Sequence, residues 1–264
     1  MPLILYSQAK FSLTFSQSLI NDWQQGEKLA FELNNSFDFK HKFKIDTLIL
    51  NASLKYAIGI QYLKNEKLHS ALILPTDNDI FGEFQLSYPL GWRLDPFFSA
   101  SIRTQITESF IIIKDSKKRT ANLWDPVISM QSLGFAYSSS NPNVNLSFRC
   151  GVSFKQTRSD LHYQLTDDIK TKDIIEKYRA ESGIEIKSEL LMKFNELSSY
   201  NTSIELFSSF QKISSFTGRW VNSFQFKIWS YFGIIVNLDF TYDEKQMKRL
   251  QYKQNTRIGL ITNL

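Results

Sequence analysis

The sequence is short of most features that announce a chemistry. It has one cysteine, Cys150, so no internal disulfide can form and the redox compartment is left open. With 10 Gly and 6 Pro in 264 residues, low-complexity disorder is excluded. No run of about eighteen apolar residues occurs, which excludes an α-helical membrane span. The three histidines, His41, His69 and His162, stand in no metal-ligand spacing and read as turn or loop residues. There is no glycine-rich phosphate loop, no paired metal motif and no nucleophile elbow. The expectation is therefore no enzyme, with no catalytic, metal-binding or cofactor-binding residue. A barrel-embedded hydrolase would need a Ser and a His in hydrogen-bond reach at the wall, and nothing in the sequence selects such a pair.

Charge of a single sign is missing too. Lys and Arg number 31 against 26 Asp and Glu, a formal balance of +5. The basic clusters Lys114, Lys117, Lys118, Arg119 and Lys245, Lys248, Arg249 read as solvated loop tips. Contact with anionic lipid phosphates or an acidic ligand is the functional alternative. No recognition motif accompanies the charge, so nucleic acid is not an expected partner.

What is present is alternation. Ile80, Gly82, Phe84, Leu86, Tyr88, Leu90 and Trp92 form one series; Phe81, Glu83, Gln85, Ser87 and Arg93 fall in the other. After a turn at Arg93, Leu94 and Asp95, Pro96, Phe98, Ala100, Ile102 and Ile106 face away from Phe97, Ser99, Ser101, Arg103 and Gln105. Period two with one greasy side is the mark of a strand. These strands are about twice the ordinary five or six residues, which suits a membrane-crossing strand of about nine to eleven. The same pattern recurs in segments beginning near residues 11, 29, 48, 128, 144, 184, 200, 220, 234 and 251.

The count is about twelve strands, an even number, as single-chain outer-membrane barrels require. Connection length adds a second signal. Connections after the second, fourth, sixth, eighth and tenth strands are short; residues 61–77, 108–126 and 156–182 make long ones. Within residues 108–126, Ile111, Ile112 and Ile113 read as an extension of the fifth strand. Within residues 156–182, Thr166, Asp167 and Asp168 read as the cap of a short helix carrying Ile169, Ile174, Ile175 and Tyr178. Short turns at one end and long loops at the other place both termini in the periplasm. The mean hydropathy of -0.25 is compatible, because a barrel wall is only half apolar.

The fold expected is all-β: a closed antiparallel up-and-down transmembrane β-barrel of about 12 strands, in the bacterial outer membrane. Residues 1–9 read as the residual tail of a signal peptide, with small residues at Ser7 and Ala9, and residues 10–264 as a single barrel domain. Lipid offers no hydrogen bonds, so the sheet must close and polar faces must turn inward. The lumen-facing polar residues are then Glu83, Gln85, Arg103, Gln105, Arg149, Glu185, Lys187, Glu189, Glu205, Lys227, Asp239 and Arg257. Both signs are mixed, so a salt-bridged interior is expected rather than a one-sign selectivity filter. Tyr88, Trp92, Trp220, Trp229, Tyr231 and Tyr242 lie toward strand ends, where interface aromatic belts form.

Several segments add a resemblance. These are Trp23, the stretch from Phe98 through Arg103, Thr104 and Gln105, the approach from Asn122 through Trp124 to Pro126, and the strand from Ser132 to Tyr137. From Ser16 onward the chain resembles an uncharacterised outer-membrane barrel family, a domain of unknown function of Bacteroidota and Chlorobi. The resemblance implies a signal peptide, an outer-membrane location and no assigned activity. The chain departs from the usual pattern in lacking a full signal sequence and in ending at Leu264 rather than on an aromatic residue. Expected partners are outer-membrane lipid, lipopolysaccharide and the barrel-assembly machinery. Two function classes stay open: a narrow pore for small solutes, and a structural or interaction barrel that presents its long loops. Continuous side-chain filling of the lumen favours the second.

Overall fold

Apolar residues at every second position bury nothing in a single sheet unless a second layer or a lipid phase meets them. The computed structural model shows which solution this chain takes. It describes residues 4–21, 30–65, 70–91, 93–113, 116–161, 163–168, 174–213, 215–244 and 247–263. The strands are β1 (Ile4–Asn21), β2 (Ala30–Ile45), β3 (Leu48–Asn65), β4 (Ser70–Ser87), β5 (Asp95–Thr104), β6 (Ser109–Ile113), β7 (Ser116–Ala121), β8 (Val127–Ser140), β9 (Val144–Arg158), β10 (Tyr178–Lys193), β11 (Ser198–Ser209), β12 (Phe216–Lys227), β13 (Phe232–Asp243) and β14 (Met247–Asn263), with one short helix, α1 (Tyr163–Thr166). Twelve of them close one antiparallel barrel in the order β1-β14-β13-β12-β11-β10-β9-β8-β5-β4-β3-β2, and β6 and β7 form a separate hairpin.

The seam is long. β1 pairs with β14 from Lys10 opposite Asn263 to Asn21 opposite Tyr252, so the sheet leaves no open edge there. The outer face carries the greasy series: Phe15, Leu54, Phe84, Leu133, Val152 and Leu260 are all exposed, Leu133 by 66%. The inner face buries Ser12, Thr14, Asn34, Ser99, Ser132, Ser153 and Asn255. An apolar outside around a polar inside is the inverse of a water-soluble protein and fits a lipid surround.

Register fixes the two ends. Ile4 lies opposite Lys44, beside the two-residue turn Asp46-Thr47, and Asn263 lies opposite Lys10. Both termini are thus at the end that carries the turns 46–47, 88–94, 141–143, 194–197 and 228–231. The connection 105–126, with the β6–β7 hairpin, and the connection 159–177, with α1, are at the opposite end.

Several expectations change here. Residues 61–77 are mostly strand, because β3 runs to Asn65 and β4 starts at Ser70. The hairpin turn is longer than Arg93 to Asp95: β4 ends at Ser87, so Tyr88 and Leu90 are turn residues. Ile111, Ile112 and Ile113 do not extend β5. They pair with Ser116, Lys117 and Lys118 in β6–β7. The cause is Asn78, whose Oδ1 accepts from both Ile106 N and Thr107 N at 2.8 Å and turns the chain away from the wall. α1 ends at Thr166 instead of starting there. His41 is not in a turn; β2 continues to Ile45. Residues 4–9 lie within β1, paired with β2. Residues 1–3, Trp23, His69, Trp92, Lys114, His162, Ile169, Lys245 and Leu264 lie outside the described residues.

Candidate functional site: the ionic layer across the lumen

Inward-facing positions on neighbouring strands lie about 5 Å apart, but side chains that meet across the lumen must come from strands distant in the ring. Here they do. Lys40 on β2 reaches Glu189 on β10 at 3.3 Å. Arg219 on β12 lies 3.9 Å from Asp79 on β4. Each pair joins strands six places apart in a ring of twelve, that is, opposite walls.

Between them runs a connected chain of charges. Lys187 Nζ lies 3.7 Å from Glu189, 3.0 Å from Glu83 and 3.3 Å from Glu205. Arg149 donates to Glu83, to Glu185 at 3.2 Å and to Gln85 Oε1 at 3.2 Å. Arg103 Nη2 donates to Glu205 at 3.4 Å, and its Nε lies 3.8 Å from Asp79. Glu185 also accepts from Ser132 and, at 3.3 Å, from Ser153. Five cations (Lys40, Arg103, Arg149, Lys187, Arg219) face five carboxylates (Asp79, Glu83, Glu185, Glu189, Glu205), so the layer is neutral. Burying charge is tolerable only when each ion is paired, and each cation of the layer stands within 4 Å of a carboxylate. Cation–ring contacts add to it: Arg103 and Lys187 sit over the Phe81 ring at 4.8 and 5.0 Å.

Two cavities flank the layer. The turn-end cavity, about 320 Å³, is bordered by Lys42, Asn51, Ser87, Asp95 and Ser147. The loop-end cavity, about 220 Å³, is bordered by Phe81, Ile128, Met130, Phe207, Arg219 and Asp243. Glu83, Arg149 and Lys187 border both.

Of the polar residues read as luminal, Glu83, Gln85, Arg103, Arg149, Glu185, Lys187, Glu189 and Glu205 are brought together in this layer. Arg257 belongs to a second group, in which it and Lys253 hold Asp77 at 2.5 and 3.3 Å. Asp239 lies in register with Lys253. Lys227 ends β12 opposite Gly233, away from the layer. Gln105 stands beyond the end of β5, where its carbonyl accepts from Trp124 N at 3.2 Å. Sequence reading missed Lys40, Asp79 and Arg219. Lys40 and Arg219 lie on the inward face of their strands, which was a usable signal; Asp79 stood at the edge of a stretch read as loop.

The aromatic residues divide between the ends. Tyr88, Trp229 and Tyr231 are exposed at the turn end. Toward the loop end Trp220 stacks on Phe240 at 5.2 Å and Tyr242 packs on Phe216 at 4.9 Å. His41 stands on the outer face, stacked between Phe39 and Phe43, with Ser7 Oγ 2.8 Å from its Nδ1. Ser7 and His41 are direct cross-strand neighbours. The ring is thus held as a member of an aromatic ladder.

Among the described residues no group of three or more His, Cys, Asp or Glu is placed to hold a metal ion.

Residues 15–110 match the family model described as "Protein of unknown function (DUF3078)". The match takes in Trp23 and the stretch from Phe98 to Gln105, and stops before Asn122. No curated protein matches the chain. Among solved structures, the NanC porin aligns at TM-score 0.47 and 6% identity over 94% of this chain and 99% of its own. The translocator domain of autotransporter NalP from Neisseria meningitidis aligns at 0.39 and 9% over 97% and 87%. An outer membrane channel from Pseudomonas putida F1 aligns at 0.42 and 8% over 97% and 95%. These are likenesses of fold, and this chain is similar to each as one closed barrel is to another.

Proposed function

We propose that this protein is an integral outer-membrane barrel whose lumen is filled at mid-height by its own side chains, and that it acts through what it presents at the loop end. The carrying observation is the pair of contacts between opposite walls, Lys40 to Glu189 and Arg219 to Asp79, joined by a neutral chain of ion pairs. An aqueous channel needs those positions to stand apart.

The loop end supports the reading. Asp125 accepts from Ser159 Oγ at 2.6 Å, Asp160 N at 3.0 Å and Leu161 N at 2.9 Å, which ties two loops into one platform. On it Leu123, Trp124, Ile174 and Ile175 stay exposed. Lipopolysaccharide and outer-membrane partners are the occupants proposed for that surface, with the termini in the periplasm and insertion by the barrel-assembly machinery.

The test is conductance of the purified protein in a planar bilayer. Silence is expected; regular conductance steps would overturn the reading. A second arm deletes residues 107–121: lipopolysaccharide binding should fall while the heat-modifiable folded band on a gel persists. Gated passage of small solutes is the second reading, favoured by the two cavities that flank the layer.

A further inference from the structure

We infer that the loop-end cavity is a binding site for a small amphipathic carboxylate, one with a compact aromatic or aliphatic body. The proposal rests on the closed-lumen reading, because the ionic layer is the floor of the site.

The first ground is an apolar lining that meets open space, whereas the buried inward side chains Phe97, Ile235 and Ile261 border neither cavity. Phe81 and Phe207 point inward and are 7% and 6% exposed, and Ile128 and Met130 border the same cavity. The rings that border the turn-end cavity, His41, Tyr137 and Phe148, sit at outward-facing positions of their strands instead. Inward apolar side chains gain nothing from water in a polar lumen, whereas an apolar ligand body would be sheltered by them.

The second ground is unspent donor capacity. The carboxylates of the floor, Glu83, Glu185 and Glu205, are each already engaged by Arg or Lys. The cations are less fully used. The buried Nε groups of Arg103 and Arg149 have no hydrogen-bond acceptor among the described residues. Arg219 lies 3.9 Å from Asp79, and Arg103 Nε 3.8 Å from it, both too long for a hydrogen bond. Arg103, Arg149 and Arg219 all border this cavity. A ligand carboxylate is the planar acceptor that a guanidinium fork at the cavity border matches, and Arg219, whose contact to Asp79 is long, is placed to offer one. Lys155 Nζ, over the Phe207 ring at 5.1 Å, puts a further positive charge on the same wall.

Size limits the ligand. A cavity of about 220 Å³ is below the usual range for drug-sized molecules, so a single ring with one carboxylate fits and a long acyl chain does not.

Benzoate is the probe, titrated calorimetrically into the protein in detergent micelles, beside benzyl alcohol (ring without charge) and acetate (charge without ring). Saturable benzoate binding is expected, with both comparators at least about tenfold weaker. Arg103→Gln and Phe207→Leu should each weaken benzoate by about tenfold; the second variant leaves the ionic layer whole and guards against a folding defect in the first. No saturable benzoate binding to the unmodified protein, acetate binding as tight as benzoate, or unchanged affinity in both folded variants would overturn the proposal. Conductance is read separately. A protein that conducts yet binds benzoate selectively keeps the site and loses the closed-lumen reading; a silent protein that ignores benzoate does the reverse.

Discussion

Leu133 and Ser147 show what a position's facing means for one side chain. Leu133 is 66% exposed at the middle of β8, on the outer face, while Ser147 borders the turn-end cavity across from Glu189. Leu133→Arg places a charge in acyl chains and should cost about 2–4 kcal/mol near the midplane. Ser147→Arg meets water and a carboxylate and should cost far less. Urea unfolding in lipid bilayers measures both, and equal losses would count against the assigned faces. Asn222 is the converse case, a polar residue 4% exposed on the outward face of β12. Its Oδ1 accepts from Tyr200 Oη at 2.7 Å and Thr202 Oγ1 at 3.0 Å, and its Nδ2 donates to the Leu238 carbonyl at 3.3 Å. In lipid no water can replace those partners. Asn222→Leu should cost about 1–3 kcal/mol by stranding the Tyr200 hydroxyl, and adding Tyr200→Phe should recover part of that loss.

At the scale of elements, legibility followed the lipid constraint. Where a strand crosses acyl chains, one face must be apolar, and β9 and β10 alternate cleanly for that reason. The outer parts of β3 and β4 are free of that rule: Lys64, Asn65 and Ser70 carry no strong period, so 61–77 read as loop although the ladder runs through it. The β6–β7 hairpin was hidden for a different reason. Its apolar run, Ile111 to Ile113, looks like more of β5, and only Asn78, distant in sequence, turns it aside. The loop end also has a contact that acid should loosen. The Asp160 carboxylate accepts from Lys177 Nζ at 2.9 Å, and that hydrogen bond and charge hold its carboxyl below the ordinary range. A depressed folded value means that the contact helps the loop at pH above about 4 and stops helping as pH falls below it. Protection against amide exchange in residues 159–161, taken relative to the intrinsic rate at each pH, should therefore fall below about pH 4, and Lys177→Met should lower it at neutral pH as well.

For the whole molecule, the mixed signs of the lumen were readable, since Glu83, Arg103, Arg149, Glu185 and Lys187 all fall on inward faces. Which of them touch was not, because contacts across a ring depend on strand order, tilt and stagger together. If the layer closes the lumen, cutting it should open the lumen. Lys40→Ser with Glu189→Ser removes one span between opposite walls and trims the Lys187 partners. Adding Arg219→Ser removes the other. The triple variant should give conductance steps in a planar bilayer where the unmodified protein gives none; silence from a folded triple variant would place the block elsewhere in the lumen.

The seam between β1 and β14 has a bearing on how the molecule is made. Lys10 and Asn263 are cross-strand partners in space although they stand far apart in the sequence. Until β14 emerges, β1 has no mate on that side, and its unmated amides cannot enter hydrocarbon unaided. Insertion must then wait for β14, with some other surface standing in for it meanwhile.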